Sequence, residues 1–221
     1  MSECNLSYIA LLVELVEMSS SSTTQLRSDF ERSFDTLAEM LADRGVDAPE
    51  IRSHLGNAGA LFDASKPTLV VASPTAKVLV VYDFSARFKV SNVKVYLDQE
   101  YMDQEYATTI LVIREKPTAA VIKSLREYQK TDVQLFLMKN LVFNVTKHEL
   151  VPRHEVIRDE AAMQAILDAY QLKHKHHLPL IYDDDPVAKY YGLKPGQLVR
   201  VTRITPSTGE AVAYRCCVKN S

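Results

Sequence analysis

Between Asp184 and Val201 the chain carries start and stop signals at a density that leaves little choice of local path. Asp185-Pro186 starts a short helix, with proline at the first position, where its missing N–H is not needed. Gly192 supplies the left-handed residue that stops this helix. Lys194-Pro195-Gly196 reads as a type II turn, with Pro at its second position and Gly at its third. Leu198, Val199, Val201 and Ile204 then form a strand. Thr205 to Gly209 turns the chain, and Ala211 to Val218 returns as a second strand. Upstream, Pro152 cannot donate to a ladder, so His148–Val151 is expected as a strand end or an edge. Asp159 caps a helix whose apolar positions, Ala162, Ile166 and Ala169 with Leu167 and Tyr170, follow helical spacing. This is a small α+β unit. Nothing in it is arranged for bond making, and its turns and caps describe a surface shaped for docking.

The residues that could carry chemistry do not fall into the patterns it needs. His148 and His154 lie six apart, and His174, His176 and His177 cluster downstream. A metal site needs converging ligands and a supporting shell, and no Cys or carboxylate pattern completes one. His174-Lys175-His176-His177 reads as an exposed loop before Leu178-Pro179. Asp183-Asp184-Asp185 precedes Pro186, so Asp185 is the expected helix cap, complementing the helix dipole. Cys4, Cys216 and Cys217 give neither a disulfide framework nor metal spacing, which fits a reducing compartment. Cys216 and Cys217 are expected to fill opposite faces of one strand. Six scattered glycines make no phosphate loop. No cofactor is expected.

The rest of the chain is α/β. Asn5 to Met18 is its most apolar run, too short and too acidic to span a bilayer. Glu3 near the start argues against a signal peptide. A helix apolar on most of its circumference must bury itself against its own domain or a partner. Ser19 to Thr24 is a flexible joint by composition. From Leu26 to Arg44, Leu26, Phe30, Phe34, Leu37 and Leu41 share one helical face, and Gly45 ends the helix. Asp47-Ala48-Pro49-Glu50 looks like the capped start of another. Thr68–Ala72 and Lys77–Tyr82 read as strands, with Ser73-Pro74-Thr75 as a hairpin loop. A helix over Ser91–Glu105, a strand over Thr108–Ile113, a helix from Pro117 through Tyr128 and a strand over Val133–Leu137 complete an α/β alternation. The expected divisions are 1–24 (apolar helix and linker), 25–143 (α/β domain) and 144–221 (α+β domain).

Charge is uneven. Residues 1–65 hold 4 Lys/Arg against 11 Asp/Glu, residues 66–139 hold 11 against 8, and residues 140–221 hold 11 against 9. With a net charge of −2, the chain is no free-standing basic nucleic-acid binder. Any duplex contact is expected from the second segment.

Several long blocks resemble the C-terminal assembly domain of the fifth subunit shared by eukaryotic nuclear RNA polymerases and of its archaeal counterpart. They are His148-Glu149-Leu150-Val151-Pro152-x-His154, Leu178-Pro179-x-Ile181, Asp185 through Gly192, Gly196-Gln197-x-Val199-Arg200, and Tyr214-Arg215. One block departs. The family's Arg-x-Ser-x-Thr-x-Gly turn reads Arg203-Ile204-Thr205-Pro206-Ser207-Thr208-Gly209, which keeps the hydroxyls while Pro206 removes a donor. Upstream, Met40 to Val46, with its Asp-Arg-Gly, Lys94-Val95-Tyr96 and Lys116-Pro117-Thr118-Ala119 are shorter points of likeness to the family's jaw domain.

The resemblance implies a non-catalytic subunit of a nuclear polymerase, one copy per complex, with no membrane association. His148, Pro152, His154, Pro179, Asp185, Pro186, Tyr190, Gly192, Arg200, Arg203, Tyr214 and Arg215 would dock on the largest subunit, beside other core subunits. The α/β domain would form a jaw beside downstream duplex DNA, where Arg114, Lys116 and Thr118 approach phosphates, as basic side chains and a helix start suit. The jaw's fold is similar to restriction-type nucleases. Nuclease action needs clustered carboxylates and a lysine around a divalent metal, and Asp83, Lys89 and Glu100 do not make that pattern. The more divergent N-terminal half favours a copy restricted to one polymerase class. The rival readings are a free adaptor that binds transcription regulators and a degenerate nuclease.

Overall fold

The computed structural model describes residues 3–46, 62, 68–73, 77–98, 106–127, 132–205 and 209–220, with 3–22, 68–73 and 98 as backbone alone. The chain divides into two compact units, Met1–Phe143 and Asn144–Ser221.

In the first unit, α1 runs unbroken over Glu3–Asp43. The Ser/Thr run at 19–24, expected as a flexible joint, is helical. Each Ser or Thr costs only about 0.5 kcal/mol against Ala in a helix, and propagation from a formed helix is easy. Strands β1 (Thr68–Ser73), β2 (Val78–Asp83), β3 (Thr108–Ile113) and β4 (Asp132–Leu137) form one sheet in the order β1-β2-β3-β4. β1 pairs antiparallel with β2, and β2, β3 and β4 run parallel. Each parallel crossover carries a helix, α2 (Val90–Asp98) and then α3 (Ala119–Glu127). A four-residue helix, α4 (Met138–Leu141), follows β4 directly.

The sheet is buried on both faces, which is why β2 and β3 read as near-continuous apolar runs. Leu79, Val81, Leu111 and Ile113 face Val93 and Leu97 of α2 and Val121 of α3. The opposite face meets α1: the Phe30 ring lies 5.1 Å from Tyr82, edge to face. Phe30, Phe34, Leu37 and Leu41 are all at most 2% exposed, as their shared helical face predicts. Burial pushes the Tyr82 hydroxyl well above the ordinary tyrosine range.

Several boundaries differ from the sequence reading. α2 starts at Val90, and residues 99–105 of the expected longer helix lie outside the described residues. α3 starts at Ala119 rather than Pro117. The expected cap at 47–50 also lies outside them, as do Pro74 and Thr75 of the expected hairpin loop, whose Ser73 instead ends β1.

At the end of β2 sits Asp83, 3% exposed. Its Oδ1 accepts from the Ser85 N–H at 2.8 Å and from the Ser85 hydroxyl. Its Oδ2 accepts from Asn92 Nδ2 at 3.0 Å and from the Tyr96 hydroxyl at 3.1 Å. One carboxylate thus ties the β2 end and its following loop to α2. Asp83→Ala would leave these donors unmet in a buried site, at an expected cost of about 2–3 kcal/mol. A urea midpoint equal to the parent's would mean that water replaces the carboxylate without loss.

In the second unit, β5 (Arg153–Ile157), β6 (Leu180–Tyr182), β7 (Leu198–Thr205) and β8 (Gly209–Val218) form a sheet ordered β5-β7-β8-β6. β5 and β8 pair antiparallel with β7, and β6 runs parallel to β8. Helices α5 (Glu160–Ala169) and α6 (Pro186–Tyr191) pack on it. Val199, Val201, Ile181 and Cys217 meet Ala188 of α6 and Leu193 on one face. Leu198 and Cys216 meet Met163 and Leu167 of α5 and Leu178 on the other. The adjacent cysteines therefore do fill opposite faces. Burial raises both thiols, that of Cys217 to about 11, so both stay protonated and inert at neutral pH.

Candidate docking surface

Local signals build this unit as the residues dictate. Asp159 caps α5 by accepting from the Ala161 and Ala162 N–H groups. Asp185 caps α6 through the Val187 N–H, at 2.9 Å, with Pro186 in the first turn. Gly192 ends α6 at φ 63°, and the Leu193 N–H reaches back to the Ala188 carbonyl at 2.9 Å. Gly196, at φ 88°, completes the turn closed by the Gln197 N–H on the Lys194 carbonyl at 3.1 Å. The segment expected as a strand end at His148–Val151 is instead a turn, closed by the Val151 N–H on the His148 carbonyl at 2.9 Å. β5 begins only at Arg153, one residue after the proline that cannot donate. Of the turn at 205–209, residues 206–208 lie outside the described residues.

The twelve docking residues picked from the sequence do not share one surface. Strand alternation puts His154, Arg203 and Arg215 on the sheet face that carries Val199, Val201 and Cys217. Arg200 and Tyr214 point to the other face, beside Leu198 and Cys216. There Arg200 lies 3.9 Å from Glu155, which also pairs with Arg153 at 2.7 Å. Tyr214 stacks edge to face on Tyr170, with centroids 5.8 Å apart.

On the first face, His154 Nδ1 lies 2.6 Å from the Pro152 carbonyl. Burial pushes its pKa down, while the Pro152 contact and Asp185 oppose this and Arg215 and Arg203 reinforce it. A neutral ring with its proton on Nδ1 donates to the Pro152 carbonyl and leaves Nε2 as an acceptor. Arg203 is exposed, and Arg215 is held in place by its own bond from Nη1 to the Leu180 carbonyl at 3.0 Å. Among the described residues this face offers two guanidinium groups and an imidazole, while its thiol, Cys217, is buried.

Other picks have inward duties. Tyr190 is 2% exposed, and its hydroxyl accepts from Asn144 Nδ2 at 2.9 Å. Asn144 also accepts from the Thr146 N–H, capping the 3-10 turn at Val145–Lys147. Sequence reading missed Asn144, although an Asn two residues before a Thr is a recognisable capping signal. Asp185, Pro186 and Gly192 shape α6. His148 and Pro179 are exposed, and Leu150, whose N–H donates to His148 Nδ1 at 3.2 Å, is 84% exposed.

Among the described residues no three His, Cys, Asp or Glu side chains gather to hold a metal ion. His174 and His177 contact each other edge to face at 5.6 Å, next to Lys175, which pairs with Glu160 at 2.9 Å. In the first unit, Arg114, Lys116 and Thr118 are exposed between β3 and α3. The Thr118 carbonyl accepts from the Ile122 N–H at 3.1 Å, so this residue opens α3. No helix among the described residues is long and apolar enough to cross a membrane.

Residues 143–217 match the family described as RNA polymerase Rpb5, C-terminal domain, and this span coincides with the second compact unit. The chain is 31% identical to the DNA-directed RNA polymerases I, II, and III subunit rpabc1 of Dictyostelium discoideum, over 66% of this chain and 74% of that protein. It is 28% identical to the DNA-directed RNA polymerases I, II, and III subunit RPABC1 of Caenorhabditis briggsae, over 87% and 86%. It is 30% identical to the DNA-directed RNA polymerases IV and V subunit 5B of Arabidopsis thaliana, over 82% and 86%. With a relative at this identity covered over most of its length, and the caps and turns of the second unit formed as its motifs require, the chain belongs to the Rpb5 family of DNA-directed RNA polymerase subunits.

Proposed function

We propose that this chain is a non-catalytic subunit of nuclear DNA-directed RNA polymerase that docks on the largest subunit through residues 144–221. The observation that carries this is the second unit itself. It has its own core on both faces of its sheet, it overlaps the family match almost throughout, and on the sheet face that α6 covers in part it presents exposed Arg203 with half-buried Arg215 and His154. A preformed body of this kind binds without paying to order itself. Residues 25–143 serve as the jaw, and Arg114, Lys116 and Thr118 lie toward the duplex. The sole buried carboxylate of β2, Asp83, has both oxygens occupied by protein donors, which speaks against a nuclease role.

The relatives include subunits named for polymerases I, II and III together and others named for polymerases IV and V. A copy restricted to particular classes therefore has precedent within the family, and the divergent N-terminal half favours it here. Affinity purification of the tagged chain followed by mass spectrometry and gradient sedimentation tests both statements. The chain is expected to run almost wholly with a polymerase-sized complex containing one largest subunit. A chain found mainly free would favour the adaptor, and recovery of every polymerase class would remove the restriction.

A further inference from the structure

β2, β3 and β4 end side by side, with Asp83 opposite Ile113 and Ile113 opposite Leu137. The segments that leave these ends carry exposed Arg87 and Lys89 after β2, Arg114 and Lys116 after β3, and Lys139 after β4. Neighbouring strands are ~4.8 Å apart, so the cations spread over roughly 10 Å, which is about three nucleotide steps of ~3.4 Å along one strand. Glu115 is an exposed carboxylate within this group. Asp83 is buried, and its charge is taken up by Ser85, Asn92 and Tyr96.

Two nine-residue helices also begin here. The Lys89 carbonyl accepts from the Asn92 N–H at 3.0 Å at the start of α2, and the Thr118 carbonyl opens α3 in the same way. Their dipoles add positive potential to the same edge. The loop from Asp83 to Val90 is pinned at two points. Ser85 is bound to Asp83, and the Phe88 ring, 6% exposed, stacks on Tyr96 with centroids 6.3 Å apart. Arg87 is displayed between these anchors and Lys89 just after them, so little order is lost when they meet a ligand.

We infer that Arg87 and Lys89 are phosphate-contacting residues that extend the Arg114–Lys116 segment into one cationic edge for duplex DNA. This rests on the reading of the first unit as a jaw, and it adds a second loop that the sequence alone did not single out. The contacts are to backbone phosphate and carry no base preference.

The test uses the full chain and a fluorescein-labelled duplex of arbitrary sequence, titrated by anisotropy at several salt concentrations. Arg87→Ala/Lys89→Ala is expected to weaken binding about tenfold and to lower the salt slope by about 2, near one per lost contact. Arg114→Ala/Lys116→Ala is expected to do the same, and Lys194→Ala, in the other unit, to leave the slope unchanged. If the Arg114/Lys116 variant lowers the slope and the Arg87/Lys89 variant does not, the added loop is refuted while the jaw reading stands. If the parent chain shows no salt-dependent binding, the jaw reading fails and the added loop falls with it. Thermal unfolding of each variant near the parent's midpoint excludes misfolding.

Discussion

Replacing Phe30 with alanine will lower the stability of the N-terminal unit by about 3–5 kcal/mol. Phe30 is fully buried, and it is the hub through which α1 holds the sheet. Its ring centroid lies 5.7 Å from Phe34, 5.1 Å from Tyr82, and 5.6 Å from both Phe62 and Phe84. Truncation removes the transfer energy of a phenyl ring and leaves a cavity lined by four other rings. It also forfeits edge-to-face contacts worth about 0.5–1.5 kcal/mol each. Phe30→Leu keeps most of the volume and should cost clearly less. Urea unfolding followed by circular dichroism measures both. A Phe30→Ala midpoint within error of the parent's would show that α1 does not depend on this cluster to stay on the sheet.

Reversing charge at Arg203 and Arg215 together will sharply reduce entry into polymerase while the unit stays folded. Both side chains stand on the face that also carries His154, away from Arg200 and Tyr214. A partner shaped for that face would meet two carboxylates in place of two guanidinium groups. Like charges brought together at an interface cost several kcal/mol, and a loss of roughly 3 kcal/mol corresponds to at least a hundredfold in affinity. Arg203→Glu alone is the cleaner probe, because Arg215 also binds the Leu180 carbonyl within the unit. The tagged variants would be sedimented with cell extract and the bound fraction compared with the parent and with Lys194→Ala. If Arg203→Glu/Arg215→Glu enters the complex like the parent, this face is not the docking surface. Loss of the folded far-ultraviolet spectrum would assign the effect to folding instead, which the single variant then resolves.

How much was legible in advance follows from the range of each signal. The α6 cap at Asp185, the Gly192 stop, the Gly196 turn and the Asp159 cap all formed where their residues stand, because each depends on neighbours within a few positions. The apolar runs of β2 and β3 and the inward face of α1 were equally plain, since burial on both sheet faces writes itself as a continuous run and burial of one helix face as a stripe. Errors fell where local composition is weak evidence. Ser19–Thr24 continues a helix, since its residues only mildly resist one, and His148–Val151 turns before the strand that Pro152 delays.

Taken alone, the order of residues determined the caps and turns of the second unit, the apolar strands β2 and β3 and the buried stripe of α1. Only the folded chain decided which of those residues lie on the same face. Register sorted the expected docking side chains onto opposite faces of one sheet and brought the ends of β2 and β3 side by side, and helix packing turned Tyr190 inward onto Asn144. The physical reason is separation along the chain. A cap or a turn is settled by residues a few places apart, whereas a surface is settled by strands that meet only after the intervening helices have packed.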